Sequence, residues 1–204
     1  DRDFKSHSGI SFKAFGRAIK QNISEGKVVS GGSTITMQTI RLSRKGRSRS
    51  YWEKLIEVYM STRLEWRLTK SEILRLYASN APMGGNVVGV EAASWRYFGR
   101  SAHELSWAEA CLLAVLPNAP SLMHPGKNRA KLKAKRNRLL KRLHNENVID
   151  DVDYELALME SLPEKPPHLP QLAPHLLNRL IANGYKGKEV ISTLDKNIQK
   201  HVLK

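Results

Sequence analysis

Cysteine is nearly absent from this chain of 204 residues, with Cys111 as its one example. A single thiol cannot form an internal disulfide, and it excludes zinc sites built from several thiolates. Cys111 lies in the apolar run ACLLAVL, where a buried and inert thiol is the expected state. The sequence therefore excludes a disulfide-rich scaffold and gives no support to cysteine chemistry.

Long apolar runs are also absent. No stretch of about eighteen consecutive apolar residues occurs, so no segment is predicted to span a bilayer. The first residues are charged and polar, unlike a secretory signal peptide. Because the chain begins at Asp1 rather than at a methionine, we expect that a leading segment has been removed. A helical pattern is interrupted at Lys204, so we expect that the chain has also been cut at its C-terminus.

The common sequence motifs of hydrolases and nucleotide-binding proteins are missing. No G-x-S-x-G surrounds a serine, and no H-E-x-x-H or other metal-ligand spacing occurs. The segment GGSTITMQ, residues 31–38, is rich in glycine and hydroxyl groups, but it lacks the lysine and the glycine spacing of a P-loop. Serine-nucleophile and P-loop chemistry are therefore not predicted.

Positive charge, in contrast, is abundant. The chain has 34 lysines and arginines against 19 aspartates and glutamates, for a formal net charge of +15. Such a surplus predicts a polyanionic partner, which could be nucleic acid, an anionic membrane face or a phosphate-bearing substrate. Charge alone does not choose between these three.

Helical signals dominate the chain, so we predict a mainly α fold. Phe12, Phe15, Ala18 and Ile19 share a helical face that we expect to be buried. Strand signals are limited to 190–194 and, more weakly, 28–29. Basic residues fill a predicted helix at 127–144, and prolines fill an extended segment at 163–174. Helix starts are predicted after residues able to cap a helix: Ser11, Ser50, Thr69 and Ser106.

Two neighbouring segments could carry chemistry. The hydroxyls of Ser33 and Thr34 lie at a predicted helix start, where unpaired N–H groups favour an anion. The stretch 41–57 is rich in cations, and its part 42–50 is expected to be a mobile loop. Lys54 and Glu57 share one helical face. A capped helix, a solvated basic loop and a surface ion pair are the ordinary alternatives.

Six segments in order resemble the successive motifs of the peptidoglycan glycosyltransferase domain of class A penicillin-binding proteins. The resemblance covers about residues 1–125, and the later segments APMGG and PQLAPHL are most similar to the 1C type. Any one of these segments is a weak signal, but the ordered set is specific. The segments are DRDFKSHSG, GGSTITMQ, EKLIE, KSEILRLY, GVEAASWRYFGRS and LSWAEACLLAVLPNAPS.

The resemblance implies a lysozyme-like helical fold and an inverting glycosyl transfer that polymerises lipid II. The donor is a glycan chain on undecaprenyl diphosphate, and the acceptor is the 4-hydroxyl of lipid II. The reaction needs a carboxylate base and positive charge at the leaving diphosphate. In the family that base is a glutamate directly before the position of Asp1. A chain that begins at Asp1 is therefore expected to be inactive.

The resemblance also assigns site residues. Asp1 and Glu57 correspond to catalytic positions, while Lys70 and Tyr77 match the fourth motif. No metal ligand is implied and no cofactor is required, with a divalent cation (Mg²⁺ or Mn²⁺) at the diphosphate as the alternative. The positions implied to bind substrate are Phe4, His7, Ser33, Thr34, Thr36, Gln38, Arg41 and Lys54.

Some positions depart from the family pattern. Glu53 stands where the third motif usually has arginine, which removes one expected cation. Arg75 replaces a usual glutamate, and Ser79 replaces a usual asparagine. We interpret these changes as differences within a subgroup.

The resemblance divides the chain into a glycosyltransferase domain at 1–178, truncated at its N-terminus, and a linker leading into a transpeptidase domain at 179–204. The implied location is the periplasmic face of the bacterial inner membrane, with an N-terminal anchoring helix outside this sequence. Expected partners are lipid II, the growing glycan chain, the membrane surface and other cell-wall synthesis proteins, but not nucleic acid. The alternatives are a lysozyme-like glycan hydrolase and, less favoured, a basic nucleic-acid-binding helical domain.

Overall fold

The computed structural model describes residues 1, 3–26, 31–44, 50–84, 86–118, 128–164, 173–188 and 190–202. The chain forms two compact units, Asp1–Pro167 and His168–Lys204. The boundary between these units, after Pro167, differs from the predicted domain boundary after residue 178. The predicted boundary separates a glycosyltransferase domain from a linker into a second domain, and it stays a prediction. Residues 28–29, 45–49 of the expected mobile loop, and 165–172 of the proline-rich segment lie outside the described residues.

Helices make up both units, which confirms the predicted mainly α fold. Among the described residues no strand occurs, and the β pairing seen is an isolated bridge between Pro82 and Val88. Short 3₁₀ turns occur at Ala102–Glu104 and Leu116–Asn118. The first unit contains α1 Phe12–Ser24, α2 Ile35–Ser43, α3 Tyr51–Arg67, α4 Lys70–Asn80, α5 Val90–Phe98, α6 Trp107–Val115, α7 Arg129–Asn145 and α8 Asp151–Met159.

The second unit is described by itself. It contains α9 Pro174–Leu180, which continues into a π turn at Ile181–Tyr185, and α10 Lys196–Val202. The strand predicted at 190–194 is wrong, because these residues have no regular secondary structure and pair with no other described segment. A short β-branched run needs a partner strand to satisfy its backbone groups.

The predicted helix starts are confirmed by their capping hydrogen bonds. Ser11 accepts from the backbone N–H of Ala14 at the start of α1. Thr69 and Ser106 form complete capping boxes at α4 and α6. Ser50 accepts from the N–H of Glu53, but the glutamate side chain turns to another partner described below. Local hydrogen-bonding chemistry thus sets the boundaries of these helices.

Helix α6 lies at the centre of the first unit. Its Leu112 and Leu113 belong to a core cluster with Leu132 of α7. Its Cys111 belongs to a second cluster with Leu140 and Ala157. Cys111 is buried, as predicted, and burial raises the pKa of its thiol to about 11. The thiol is therefore un-ionised at neutral pH and inert.

The basic helix α7 is a core element. Leu132, Arg136 and Leu140 on one face are fully buried, and the other cationic residues of α7 are exposed or half-buried. The Arg136 guanidinium donates from Nη1 to the carbonyl of Glu160 and from Nε to Asn137. The buried face of α7 is thus part of the core of the first unit.

The predicted buried face of α1 is wrong in part. Ala14 and Ala18 are buried, whereas Phe12 is 82% exposed and Phe15 is 56% exposed. The side chain of Ile19 lies outside the described residues. The buried positions of α1 are thus small alanines at i and i+4 spacing, and the two phenylalanines lie on its exposed side. None of the helices in the described ranges is long and apolar enough to cross a membrane.

Candidate active site

The N-terminus of α2 is where the first and second sequence motifs meet. Thr34 caps the helix by accepting from the N–H of Met37 at 3.1 Å. The Asp1 carboxylate accepts from the N–H of Ile35 at 2.9 Å. A carboxylate here compensates the partial positive charge of the helix N-terminus. The fold therefore brings residues far apart in the sequence to one helix start.

His7 is fixed in one tautomer by two hydrogen bonds. Its Nδ1 accepts from the backbone N–H of Gly9 at 3.1 Å, so in the neutral ring Nε2 carries the proton. That proton points to the Asp1 carboxylate at 3.0 Å. Burial, followed by the positive charge of Lys70, lowers the pKa of His7 below its ordinary value of 6.5. His7 is consequently a neutral donor to Asp1 at neutral pH.

Gly9 lets the first motif approach α3 closely. Its φ is +93°, and a Cβ at this position would lie 2.9 Å from the backbone carbonyl of Ser61. The carbonyl of Gly9 accepts from the Thr34 hydroxyl at 2.7 Å. Both the backbone conformation and the lack of space require glycine at this position.

A second group of side chains, which we call the Glu57 cluster, comprises Ser33, Arg41, Lys54 and Glu57. Arg41 binds both carboxylate oxygens of Glu57, at 2.6 Å from Nε and 2.7 Å from Nη2. The Lys54 ammonium lies 3.2 Å from Glu57 and donates to the Ser33 hydroxyl at 2.7 Å. The cluster thus joins two cations to one carboxylate beside the start of α2.

The cations hold Glu57 in its ionised form. Burial by itself would raise the pKa of Glu57, but the hydrogen bonds and charges of Arg41 and Lys54 outweigh it and lower the pKa. The same contact raises the pKa of Arg41. A carboxylate of lowered pKa is a poor proton acceptor near neutral pH. The geometry therefore favours Glu57 as an anchor for the two cations.

A third group, the Glu65 cluster, comprises Thr36, Glu65 and Lys70. One oxygen of Glu65, Oε1, accepts from the Thr36 hydroxyl at 2.6 Å and from the Lys70 ammonium at 2.7 Å. Lys70 also donates to the carbonyl of His7 and lies 4.8 Å from the ring centroid of Phe4. Sequence reasoning missed Glu65, because no local motif marks a carboxylate that serves two other helices.

Sequence reasoning also missed the partner of Glu53. Arg44 donates to both oxygens of Glu53, at 3.0 Å from Nε and 2.9 Å from Nη2. Glu53 was expected only to remove a cation from the third motif. In the structure Glu53 also pairs with Arg44 at the end of α2. Its negative charge offsets that of Arg44, so the net positive charge near the Glu57 cluster is lower still.

Apart from Asp1 and His7, the predicted site residues fall into two groups. Ser33, Arg41, Lys54 and Glu57 meet in one cluster. Phe4, Thr34 and Thr36 are buried, and the prediction that they bind substrate stays a prediction. Gln38 is half-buried and accepts from the Tyr77 hydroxyl at 3.4 Å, and its substrate contact likewise stays a prediction.

The residues of the site do not fit a protein-bound divalent cation. Among the described residues, no group of three or more His, Cys, Asp or Glu side chains could hold a metal ion. Both oxygens of Glu57 accept from cationic side chains, which compete with any metal for them. A cation at the site would depend on oxygens of the substrate.

Comparison with known proteins identifies the family of this chain. The sequence model of the family described as transglycosylase matches residues 1–144. The chain belongs to the transglycosylase family. It is 38% identical over 202 residues to penicillin-binding protein 1C of Escherichia coli K12, and 33% identical over 210 residues to penicillin-binding protein 1A of Pseudomonas aeruginosa. These matches cover 99% and 98% of this chain but 26% of each relative.

The chain thus spans about a quarter of the length of these curated relatives. A solved structure of penicillin-binding protein 1A from Haemophilus influenzae aligns with a TM-score of 0.45 at 24% identity, over 76% of this chain and 20% of that one. The family match confirms the transglycosylase resemblance. It does not favour the hydrolase or the nucleic-acid-binding alternative.

Proposed function

We propose that this domain polymerises lipid II into glycan strands by inverting transfer from an undecaprenyl-diphosphate-linked donor. One observation supports this most directly: Arg41 and Lys54 share the single carboxylate of Glu57 beside the N-terminus of α2. Both cations are partly exposed, with side chains 34% and 41% exposed, so an anionic group of a substrate can reach them. A diphosphate provides that group, and its charge grows as it leaves.

The reaction needs one proton transfer and one displacement. The 4-hydroxyl of the acceptor attacks the anomeric carbon of the donor, and a new carbon–oxygen bond forms with inversion. The bond from that carbon to the diphosphate breaks, and the diphosphate departs with the electron pair. The hydroxyl proton passes to a carboxylate base. Arg41 and Lys54 stabilise the departing charge, so the diphosphate needs no proton.

The base in this proposal is a glutamate directly before Asp1, as the family resemblance implies. Asp1 and His7 would then fix the backbone next to that base, since Asp1 is bound to the N–H of Ile35 and to His7. Glu57, ionised and held by cations, would keep Arg41 and Lys54 in place. These assignments separate the proton acceptor from the group that organises the charge.

A comparison of two N-terminal extensions tests the reaction. The chain extended by a single glutamate before Asp1 should lengthen lipid II into glycan, and the chain extended by glutamine should show little or no turnover. Lengthening is measured by gel separation of labelled glycan. Equal turnover of the two extended chains would contradict the assignment of the base. Shortening of finished glycan, without lengthening of lipid II, would favour the hydrolase.

We also propose that the domain works at a membrane surface, on the periplasmic face of the inner membrane. The exposed side chains of Phe12 and Phe15 on α1, and of Trp52 and Trp66 on α3, support this together with the net charge of +15. The chain should co-sediment with vesicles containing phosphatidylglycerol. Salt should weaken this binding, and vesicles of phosphatidylcholine alone should bind less. Equal binding to both vesicles would contradict the role of charge.

A further inference from the structure

Glu65 connects three helices through one buried carboxylate. It lies near the end of α3, and its side chain is 7% exposed. It accepts from Thr36 on α2 and from Lys70, the first residue of α4. A buried carboxylate with two close donors holds those donors firmly, because moving either one would leave charge uncompensated.

Lys70 carries this restraint to the first motif. Its ammonium donates to the backbone carbonyl of His7 and lies over the face of Phe4. Both contacts are to groups in the segment 4–7, and a cation over an aromatic ring adds attraction. Lys70 is thus held from one side by Glu65 and from the other by this segment.

His7 passes the restraint on to Asp1. With its Nδ1 bound by Gly9, the ring has one orientation in which Nε2–H meets the Asp1 carboxylate. Asp1 in turn accepts from the N–H of Ile35 at the start of α2. A continuous series of contacts therefore runs from Glu65 through Lys70 and His7 to Asp1.

We propose that Glu65 is a positioning residue for glycosyl transfer: through Lys70 it fixes the backbone and ring of His7, and so the Asp1 carboxylate next to the catalytic base. This inference rests on the proposed function for its effect on turnover. Its structural part, the control of His7 by Glu65, does not. Glu65 holds Thr36 and Lys70, whereas Arg41 and Lys54 are held by Glu57, so donor binding should depend on Glu65 weakly.

The test replaces Glu65 by the isosteric glutamine in the chain that carries a glutamate before Asp1. We expect kcat to fall about 10- to 100-fold, the scale of a small misplacement of a catalytic group, with little change in KM for lipid II. Nitrogen-15 NMR of the imidazole should show the Nε2–H tautomer of His7 in the parent chain and a mixture of tautomers in Glu65→Gln. Glu72→Gln, which removes one carboxylate from the capping box of α4, is the matched control and should change neither readout.

A double variant guards against simple unfolding. Glu65→Gln with Lys70→Met removes both charges, so neither is left buried without its partner. It should fold, and it should lose no more activity than Lys70→Met alone, because Glu65 acts through Lys70. Additive losses would overturn the proposal. An unchanged His7 tautomer in Glu65→Gln would also overturn it. So would a raised KM for lipid II with kcat unchanged. If the parent chain fails to polymerise lipid II, the proposed function fails, and the NMR readout still decides the role of Glu65.

Discussion

The Glu57 and Glu65 clusters both place a buried carboxylate of α3 against a lysine, but they differ in the number of cations and in exposure. Glu57 is shared by Arg41 and Lys54, and the side chain of Lys54 is 41% exposed. Glu65 is matched by one ammonium and one hydroxyl, and its lysine turns toward the backbone of the first motif. Partly exposed cations can be reached by a charged ligand, whereas a carboxylate buried against a lysine and a hydroxyl fixes the geometry around it.

The largest effect is expected from Glu57→Gln, which removes the anion that holds both cations. Without it Arg41 and Lys54 are no longer held beside Ser33, so the leaving diphosphate loses aligned positive charge. We expect kcat for lipid II polymerisation to fall about 100- to 1,000-fold, as when a single preorganised electrostatic contact is lost. Steady-state kinetics measures the fall, and circular dichroism checks that the fold is retained.

Glu155→Gln is a suitable control, because it makes the same change of charge at an exposed position of α8. It should keep parental turnover. If Glu57→Gln matches this control in kcat, then the Glu57 cluster does not organise the departing charge, and the contrast with the Glu65 cluster fails.

The next effect concerns the docking of the first motif on α3. Gly9→Ala forces a positive φ on alanine and places its Cβ against the backbone of Ser61. We expect a loss of about 2–4 kcal/mol in the free energy of unfolding, from backbone strain and overpacking together. Urea denaturation followed by circular dichroism measures it.

Gly16→Ala provides the opposite case within the same chain. Gly16 lies inside α1 with nothing within 4 Å of an added Cβ, so alanine should raise the free energy of unfolding by up to about 1 kcal/mol. Similar changes for both variants would show that the close approach at Gly9 is not a constraint in solution.

A smaller effect is expected at the Arg44–Glu53 pair, on the edge of the Glu57 cluster. Glu53→Gln releases Arg44 from a carboxylate and removes a negative charge near Lys54. We expect affinity for inorganic diphosphate to rise by a few-fold, since such partly exposed charges are screened by water. Lys54→Ala should act in the opposite direction. Calorimetric titration measures both, and unchanged affinity in both would show that diphosphate does not bind here.

The sequence predicted the helix starts better than the tertiary contacts. Ser11, Thr69 and Ser106 cap helices through hydrogen bonds within three residues, so local patterns are sufficient to find them. The outward turn of Phe12 could not be predicted, because the periodicity of a helix does not say which of two apolar faces is buried. An exposed apolar face needs a reason from outside the helix.

The site shows the same limit. Lys54 and Glu57 are one turn apart and could be paired from the sequence, and the family resemblance supplied Arg41. Glu65 and Lys70 are five positions apart, across a helix boundary, and their joint action on His7 spans sixty-three positions. Contacts of this kind depend on how helices pack, which a local pattern does not encode.

The smallest effect is a pH dependence of stability from His7, which faces Asp1, Asp3, Glu65 and Lys70. Because the folded pKa of His7 lies below 6.5, the unfolded chain binds more protons in the window between the two values. The free energy of unfolding should therefore fall as pH drops below about 6.5, by at most about 1.4 kcal/mol per pH unit from this group, and level off below the folded pKa.

Protonation would also add a hydrogen to Nδ1, which accepts from the N–H of Gly9, so the same step should loosen the first motif. His7→Gln cannot titrate and should remove this part of the pH dependence between about pH 5.5 and 7.5, while leaving the steeper loss in acid where carboxylates such as Glu57 are protonated. Urea denaturation of both chains at several pH values measures the difference. Parallel curves would mean that the pKa of His7 is not lowered in the folded chain, so that burial and the charge of Lys70 do not keep the ring neutral.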